Sequence, residues 1–363
     1  MTVAAFMEAA LYHPEYGYYA RAAQRSGRAG DFFTSVDVGP LFGELLEIQI
    51  AEMAAILRAD DGAPSTVDVV EAGAGNGRLS ADLLQAARRR DPGLYERIRL
   101  HLVETSAAAR AAQTAILGDV SDRLTSSSAE LPAAFEGVLL ANELLDALPV
   151  HRVAMREDGL REIYVGADGL PLEGPPSTPA LADYLVRLGI SLEPGWRAEI
   201  GLRAVAWVRE AARRLRRGFL ILIDYGHEAH ELYSAAHSNG TLTSFTRHTM
   251  AGAEAKPGCP PWLERPGDQD LTAHVDFTSV RRAAEEEGLT TLGFLDQTYF
   301  LLGLLTGGRD SAGAVHHATA SDLGRLKTLV MPGGLGSSHK VLILGKHVGA
   351  PRLLACSFRE RVT

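Results

Sequence analysis

The stretch Glu71-Ala72-Gly73-Ala74-Gly75-Asn76-Gly77 sets three glycines at alternate positions directly after an apolar run, with a carboxylate at its head. Glycine lets a backbone turn there without a side chain covering the ligand space. Spacing separates the candidate ligands. A dinucleotide turn reads G-x-G-x-x-G, and the third glycine here comes one place early. A P-loop closes on Gly-Lys-Ser/Thr, whereas Arg78 and Leu79 follow Gly77. A pyrophosphate favours amide donors with no carboxylate nearby, so Glu71 suits a ligand bearing an ammonium or sulfonium group. Glu104 closes a second apolar run, where a carboxylate can accept hydrogen bonds from both ribose hydroxyls. Asp119, in LGDVS, is the expected end of a further short strand, beside an adenine amine. Adenosine recognition with a cationic tail points to S-adenosylmethionine, whose sulfonium needs neither metal nor redox centre. A tight turn with no ligand, and Glu104 as a solvated strand end, remains the plain alternative.

A second group of polar residues lies in ANELLDALPVHR, which follows the apolar run FEGVLLA. On a parallel sheet Asn142 and Glu143 would emerge beside the glycine turn. If the methyl acceptor is a guanidinium, Glu143 first and Asp146 second are the carboxylates to hold it bidentately. Either could instead cap the short helix LLDAL. If the acceptor is a hydroxyl or carboxylate, His274 becomes the candidate general base, with Asp276 two residues on and able to orient it. A strand-end His and Asp that only fasten a loop would read the same way. His227 and His230, and His316-His317, lack a cysteine or carboxylate arrangement specific to zinc, so no metal site is expected.

These residues need a scaffold, and the periodicity supplies one. VDVVEAG, IRLHLVE, FEGVLLANE, FLILIDYG and KVLILGK read as short buried strands. RLSADLLQAARRR is a helix that Asp91-Pro92-Gly93 terminates, and TSAAARAAQTAIL and AEIGLRAVAWVREAARRLRRG are further helices. Strands alternating with helices imply a parallel sheet covered on both faces. Helices are expected near 2–11 and 38–59, over GFLDQTYFLLGLL, and near 321–330. A hairpin is expected around Glu157-Asp158-Gly159, with loop over 168–180 and an irregular excursion over 227–277.

The chain has 363 residues, 36 Lys plus Arg against 45 Asp plus Glu, and a formal charge of -9, which disfavours an electrostatic nucleic-acid binder. Two cysteines, Cys259 and Cys356, neither build a disulfide framework nor complete a zinc site. No apolar run is long enough to span a membrane. The N-terminal residues lack the pattern of a secretion signal or organellar presequence, so the expected compartment is the cytoplasm.

Eight stretches carry a more specific resemblance: YHPEYGYY, GDFFTS, VGPLFGELL, EAGAGNG, ANELLDALPVHR, IDYGH, LERPGDQDLTAHVDF and KVLILGK, in that order over almost the whole chain. In these the sequence resembles the MidA-like family of class I methyltransferases, whose mitochondrial member assists respiratory complex I assembly and is a protein arginine methyltransferase. The resemblance implies an α/β Rossmann-like fold with a seven-stranded, mostly parallel sheet. It implies an N-terminal cap or lid over residues 1–60 and a cofactor-binding domain over 61–363. Insertions at about 151–180 and 227–277 would form a substrate-side subdomain. By likeness, Gly73, Gly75 and Gly77 approach the methionine part of S-adenosylmethionine and Glu104 its ribose, while Thr34, Ser35 and Asn142 are further pocket residues. Phe32 and Phe33 would be rings of the lid, with Thr34 and Ser35 donating to the cofactor carboxylate. The expected reaction is methyl transfer to an arginine of a protein or peptide. Methylation of a carboxyl or hydroxyl on a small molecule or peptide, and a non-catalytic assembly factor, are the competing readings. A homodimer is compatible with the apolar helix at 38–59. The segment 246–262 is longer and richer in proline than the family pattern, which leaves the substrate open.

Overall fold

The computed structural model describes residues 1–22, 34–59, 65–246, 249–250, 259–307, 320–330 and 335–358. They form two compact units. One comprises 34–143, 210–224 and 284–363, and the other 1–33, 144–209 and 225–283. Phe32 and Phe33, most of 246–262, and His316-His317 lie outside the described residues.

Along the chain, the strands are β1 (Val67–Ala72), β2 (Ile98–Val103), β3 (Leu124–Ser128), β4 (Phe135–Asn142), β5 (His151–Arg156), β6 (Gly159–Val165), β7 (Pro171–Gly174), β8 (Arg197–Ile200), β9 (Leu215–His227), β10 (Thr243–Thr246), β11 (Thr249–Met250), β12 (Asp270–Thr272), β13 (Val275–Asp276), β14 (Thr290–Asp296) and β15 (His339–Lys346). The first unit is built on the order β14-β15-β9-β4-β1-β2-β3. β1 pairs parallel with β2 and β4, β2 with β3, and β4 with β9, while β14 and β15 run antiparallel. This is the α/β Rossmann-like sheet that the alternating pattern predicts. β1 is buried along its whole length, including its two carboxylates, Asp68 and Glu71, so its apolar residues do not alternate with exposed ones. Gly137 in β4 sits where a Cβ would lie 1.9 Å from the Asp68 carbonyl oxygen, so only glycine allows that close strand approach.

The helix Leu41–Arg58 belongs to this unit. Its Phe42, Leu45, Leu46, Ile50, Met53 and Leu57 enter the same core as Val69, Leu140 and Ile221. That burial places residues 34–59 with the sheet rather than with the N-terminal segment, so the division differs from a cap ending at residue 60. It also accounts for the helix's apolar stripe. Gly43 lets the helix pack on Arg78–Arg90, since a Cβ there would lie 2.7 Å from Asp82 Cβ. The charged edge of the contact is closed by Arg89–Glu44 and Arg90–Glu47 pairs.

The second unit holds a four-stranded antiparallel sheet ordered β7-β6-β5-β8 and a small sheet ordered β11-β10-β12. The predicted hairpin is present, with Arg156 opposite Gly159. β7 occupies part of the expected loop at 168–180, and AEI belongs to β8 rather than to the following helix, which runs Leu202–Arg214. GFLDQTYFLLGLL likewise divides into β14 and the helix Gln297–Gly307. In each case a short apolar run is compatible with either element until its pairing partner is known. The helix Val3–Tyr12, with Thr2 as its N-cap, buries Val3, Phe6, Met7 and Leu11 against Ile163, Trp262 and Leu271. Among the described residues no helix is long and apolar enough to cross a membrane.

Candidate cofactor and acceptor site

β1 ends at Ala72 and the chain turns immediately. Gly73, Gly75 and Gly77 all have positive φ, at 72°, 51° and 85°. Residues with a Cβ rarely adopt this region. The amides of Gly73 and Ala74 both donate to the Val103 carbonyl, at 2.9 and 3.1 Å, which ties the turn to the end of β2. Among the described residues a Cβ on Gly75 would meet no atom within 4 Å, whereas one on Gly77 would press on Leu102 at 3.3 Å. Gly75 therefore faces open space and Gly77 faces the protein. Gln113, fully buried, holds the turn from beneath, donating to the Gly75 carbonyl at 2.8 Å and accepting from Ser127 Oγ at 2.6 Å.

Glu104 follows β2 directly. Its Oε2 accepts the Gly75 amide at 2.9 Å and its Oε1 the Ser106 amide at 2.7 Å. The carboxylate expected to meet a ribose is thus held beside the glycine that faces open space. An ionised carboxylate retains further acceptor positions after two such bonds. Glu71 has a different environment. It is buried within β1 and accepts a hydrogen bond from Ser80 Oγ. Burial pushes its carboxyl up to about 7, the Ser80 hydroxyl and amide hold it down in part, and the nearby Glu104 charge adds to the rise. Its charge at neutral pH is therefore partial, unlike the full negative charge expected at the mouth of the turn.

Asp119 is a correction. It lies in the 3-10 helix Gly118–Arg123, ahead of β3 instead of at a strand's carboxyl end. Its side chain is 68% exposed and pairs with Arg88 Nη2 at 2.6 Å. The residue at the carboxyl end of β3 is Ser128, whose carbonyl accepts the Glu104 amide at 2.9 Å. LGDVS resembles a strand end only because a turn and a strand terminus share the same polar residue types.

Ala141 of β4 pairs with Ala72, so Asn142 and Glu143 leave the sheet next to the glycine turn. Asn142 Oδ1 is buried without a hydrogen-bond partner among the described residues. Glu143 has φ 51°, and its amide donates to the Ile223 carbonyl at 2.8 Å. Three groups converge on its Oε1: the Ser35 amide at 3.3 Å, Asn142 Nδ2 at 3.4 Å, and His339 Nε2 at 3.4 Å. No contact among the described residues reaches Oε2. Ser35 Oγ is in turn held by the buried Gln297 amide, at 3.2 Å from Nε2 and 3.3 Å from Oε1. The amide and hydroxyl of Thr34 both donate to Asp37 Oδ2 at 3.1 Å, and Asp37 faces Arg78 at 3.6 Å, at the start of the helix after the turn. Gln297 and His339 escaped the sequence reading. Each is a lone polar residue at the edge of an apolar run, and nothing in its neighbours advertises its partner.

The other two acid–base candidates belong to the second unit. Asp146 is buried there, and its carbonyl accepts the Ala273 amide at 3.0 Å. Asp276 does not orient His274. Its Oδ2 accepts the Tyr184 hydroxyl at 2.8 Å and its Oδ1 the amides of Thr278 and Ser279, so it caps the helix Phe277–Glu286. His274 instead faces His227 and His237. Burial and those two rings pull its pKa down to about 4, so it is a weak base at neutral pH.

Comparison with known proteins bears on this geometry. A family model described as "Putative S-adenosyl-L-methionine-dependent methyltransferase" matches residues 45–295. The curated protein arginine methyltransferase NDUFAF7, mitochondrial, of Danio rerio is 29% identical over 331 residues, covering 83% of this chain and 72% of that protein. Its Homo sapiens counterpart is 29% identical over 333 residues, with 83% and 69% covered. The crystal structure of a COG1565 superfamily member from Burkholderia thailandensis, bound to S-adenosyl-homocysteine, superposes with a TM-score of 0.82 at 29% identity, covering 99% of this chain and 90% of that one. The cytoplasmic expectation is overturned, because these curated relatives are mitochondrial proteins. A composition poor in cysteine marks a reducing compartment and does not distinguish one such compartment from another.

Proposed function

The chain belongs to the S-adenosyl-L-methionine-dependent methyltransferase family whose model spans residues 45–295, and from that premise we propose that it methylates an arginine side chain of a protein. The observation that carries the cofactor part is the open face of Gly75 beside the Glu104 carboxylate, with Asn142, whose buried Oδ1 has no hydrogen-bond partner among the described residues, at the end of the neighbouring strand. An acceptor without a donor suits a ligand that brings an ammonium or hydroxyl, and Glu104 suits a ribose. When bound, the cofactor supplies an electrophilic methyl on a positively charged sulfur.

The chain's own part is alignment. In-line displacement requires the attacking nitrogen held at the methyl with water excluded. Glu143 supports the arginine reading because its Oε1 accepts from the Ser35 amide and Asn142 Nδ2, with His339 Nε2 at 3.4 Å, while no hydrogen bond among the described residues uses Oε2. A carboxylate in that position draws the guanidinium proton density toward itself and leaves electron density on the nitrogen that attacks. As the nitrogen–carbon bond forms the sulfur–carbon bond breaks, sulfur becomes a neutral thioether, and the acceptor nitrogen releases a proton. The names of the Danio rerio and Homo sapiens relatives favour the same acceptor.

The test is transfer of labelled methyl from S-adenosylmethionine to protein in an extract, with one portion treated with base to release any methyl ester as methanol and another acid-hydrolysed to identify the labelled residue. Methylarginine is the expected product. Label recovered as base-labile ester or as methyl ether would overturn the arginine assignment, and no transfer at all would favour an assembly role.

A further inference from the structure

Three histidines far apart in sequence meet in the second unit. His227 ends β9, His237 closes the 3-10 helix Ala235–His237, and His274 precedes β13. The pairing of β13 with the end of β9 sets Asp276 opposite His227, which brings His274 alongside. Ring centroids are 4.8 Å apart for His227–His237, 5.2 Å for His227–His274 and 6.0 Å for His237–His274. One ligand-capable nitrogen from each ring lies within 4.8 Å of the others, and all three side chains are only partly buried.

We propose that His227, His237 and His274 form a binding site for a divalent zinc-type ion, with a fourth position open to water or an anionic ligand. Glu231 makes the arrangement more than a meeting of rings. Its Oε1 lies 3.0 Å from His227 Nδ1, and its backbone carbonyl accepts from His237 Nδ1 at 3.0 Å. A carboxylate or carbonyl on one ring nitrogen fixes the tautomer and leaves the other nitrogen's lone pair for a metal. The Glu231 carbonyl acts in this way on His237, and the Glu231 carboxylate stands beside the His227 ring as an ion-pair partner. His274 contributes an imidazole whose Nδ1 is buried without a hydrogen-bond partner among the described residues.

Imidazole donors favour zinc, copper or nickel over magnesium or calcium, which take oxygen ligands. Three protein ligands with an open position is the coordination of zinc sites that also hold water or substrate. Four-coordinate zinc at about 2.0–2.1 Å sets its ligand nitrogens roughly 3.4 Å apart, so the rings close toward one another on loading. The ion would clamp together the end of β9, the segment 229–237 and the approach to β13. Sequence spacing conceals the site, because ligands at 227, 237 and 274 match no short zinc motif.

The experiment uses the tag-free full chain, stripped with chelator, dialysed and titrated with zinc chloride alone by calorimetry. Cobalt substitution is followed in the visible spectrum. One ion per chain at micromolar affinity or tighter is expected, with the intense bands of four-coordinate cobalt. His237→Ala and His274→Ala should each weaken zinc binding at least about tenfold, as ligand loss does. His13→Ala should leave binding unchanged. His237→Ala lies on an exposed turn and should keep S-adenosylmethionine binding, which checks folding. Absence of binding by the stripped wild type, or binding unaltered in both ligand variants, would overturn the site.

Discussion

The glycine turn and the Glu143 cluster lie side by side at the carboxyl ends of two central strands, yet they are built in opposite ways. The turn takes its shape from consecutive residues, with three positive-φ glycines after one buried strand and Glu104 holding the Gly75 amide. The Glu143 cluster gathers Ser35, Asn142 and His339 onto one carboxylate, with Gln297 holding Ser35 from behind, so that four parts of the chain meet there. The first resists substitution because of backbone conformation, the second because its hydrogen bonds are mutually dependent. Binding of the cofactor should therefore fail when the turn is altered, and turnover should fail when the cluster is.

The most severe disruption is Gly75→Leu. Its φ of 51° and open face mean that the new side chain strains the turn and fills the ligand space without meeting the core. S-adenosylmethionine affinity by calorimetry should fall about a thousandfold or more, roughly 4 kcal/mol, while the circular dichroism spectrum is retained. Unchanged affinity would place the cofactor elsewhere.

Glu71 sharpens the contrast through pH. Its folded pKa of about 7 lies above the ordinary 4.5, so the folded state holds the proton more tightly than the unfolded chain. Below pH 4.5 both states are protonated and the group contributes nothing. As pH rises from 4.5 to 7 the unfolded chain ionises first, and stability falls by about 3 kcal/mol at most. Glu71→Gln should remove that decline. Urea unfolding of both proteins at pH 5 and pH 8 measures it, and parallel pH dependence would show that burial does not govern this carboxyl.

Glu143→Gln is the smallest of the three in free energy and the most specific. Gln keeps the side-chain volume and loses the charge, so turnover should drop about a hundredfold while S-adenosylmethionine affinity changes by less than about fivefold. Equal losses in both would assign Glu143 to cofactor binding and dissolve the division between the two regions.

Legibility in the sequence follows the same division. β4, β9 and β15 are visible as apolar runs because the central residues of strands buried on both faces show no polar alternation to confuse the reading. The stop at Asp91-Pro92-Gly93 and the hairpin at Asp158-Gly159 are equally visible, since proline and glycine act through local backbone geometry. Asn142 and Glu143 could be placed beside the turn, because strand order on a parallel sheet sets which loops are neighbours. Asp119 could not, because its exposed pairing with Arg88 depends on where a helix end falls in space. Nor could the three partners on Glu143 Oε1 be read, or the engagement of Asp276 by Tyr184 in place of His274.

What the sequence determined alone was the local conformation: where the backbone must turn, which runs must be buried, and which glycine cannot carry a side chain. These depend on interactions within a few residues. The tertiary structure decided which nitrogens face Glu143, how far burial lifts Glu71, and that His227, His237 and His274 share one place. Such outcomes depend on distances between residues as far apart in the chain as Glu143 and His339, or His227 and His274. Chain spacing leaves those distances undetermined until the sheet and its pairings close.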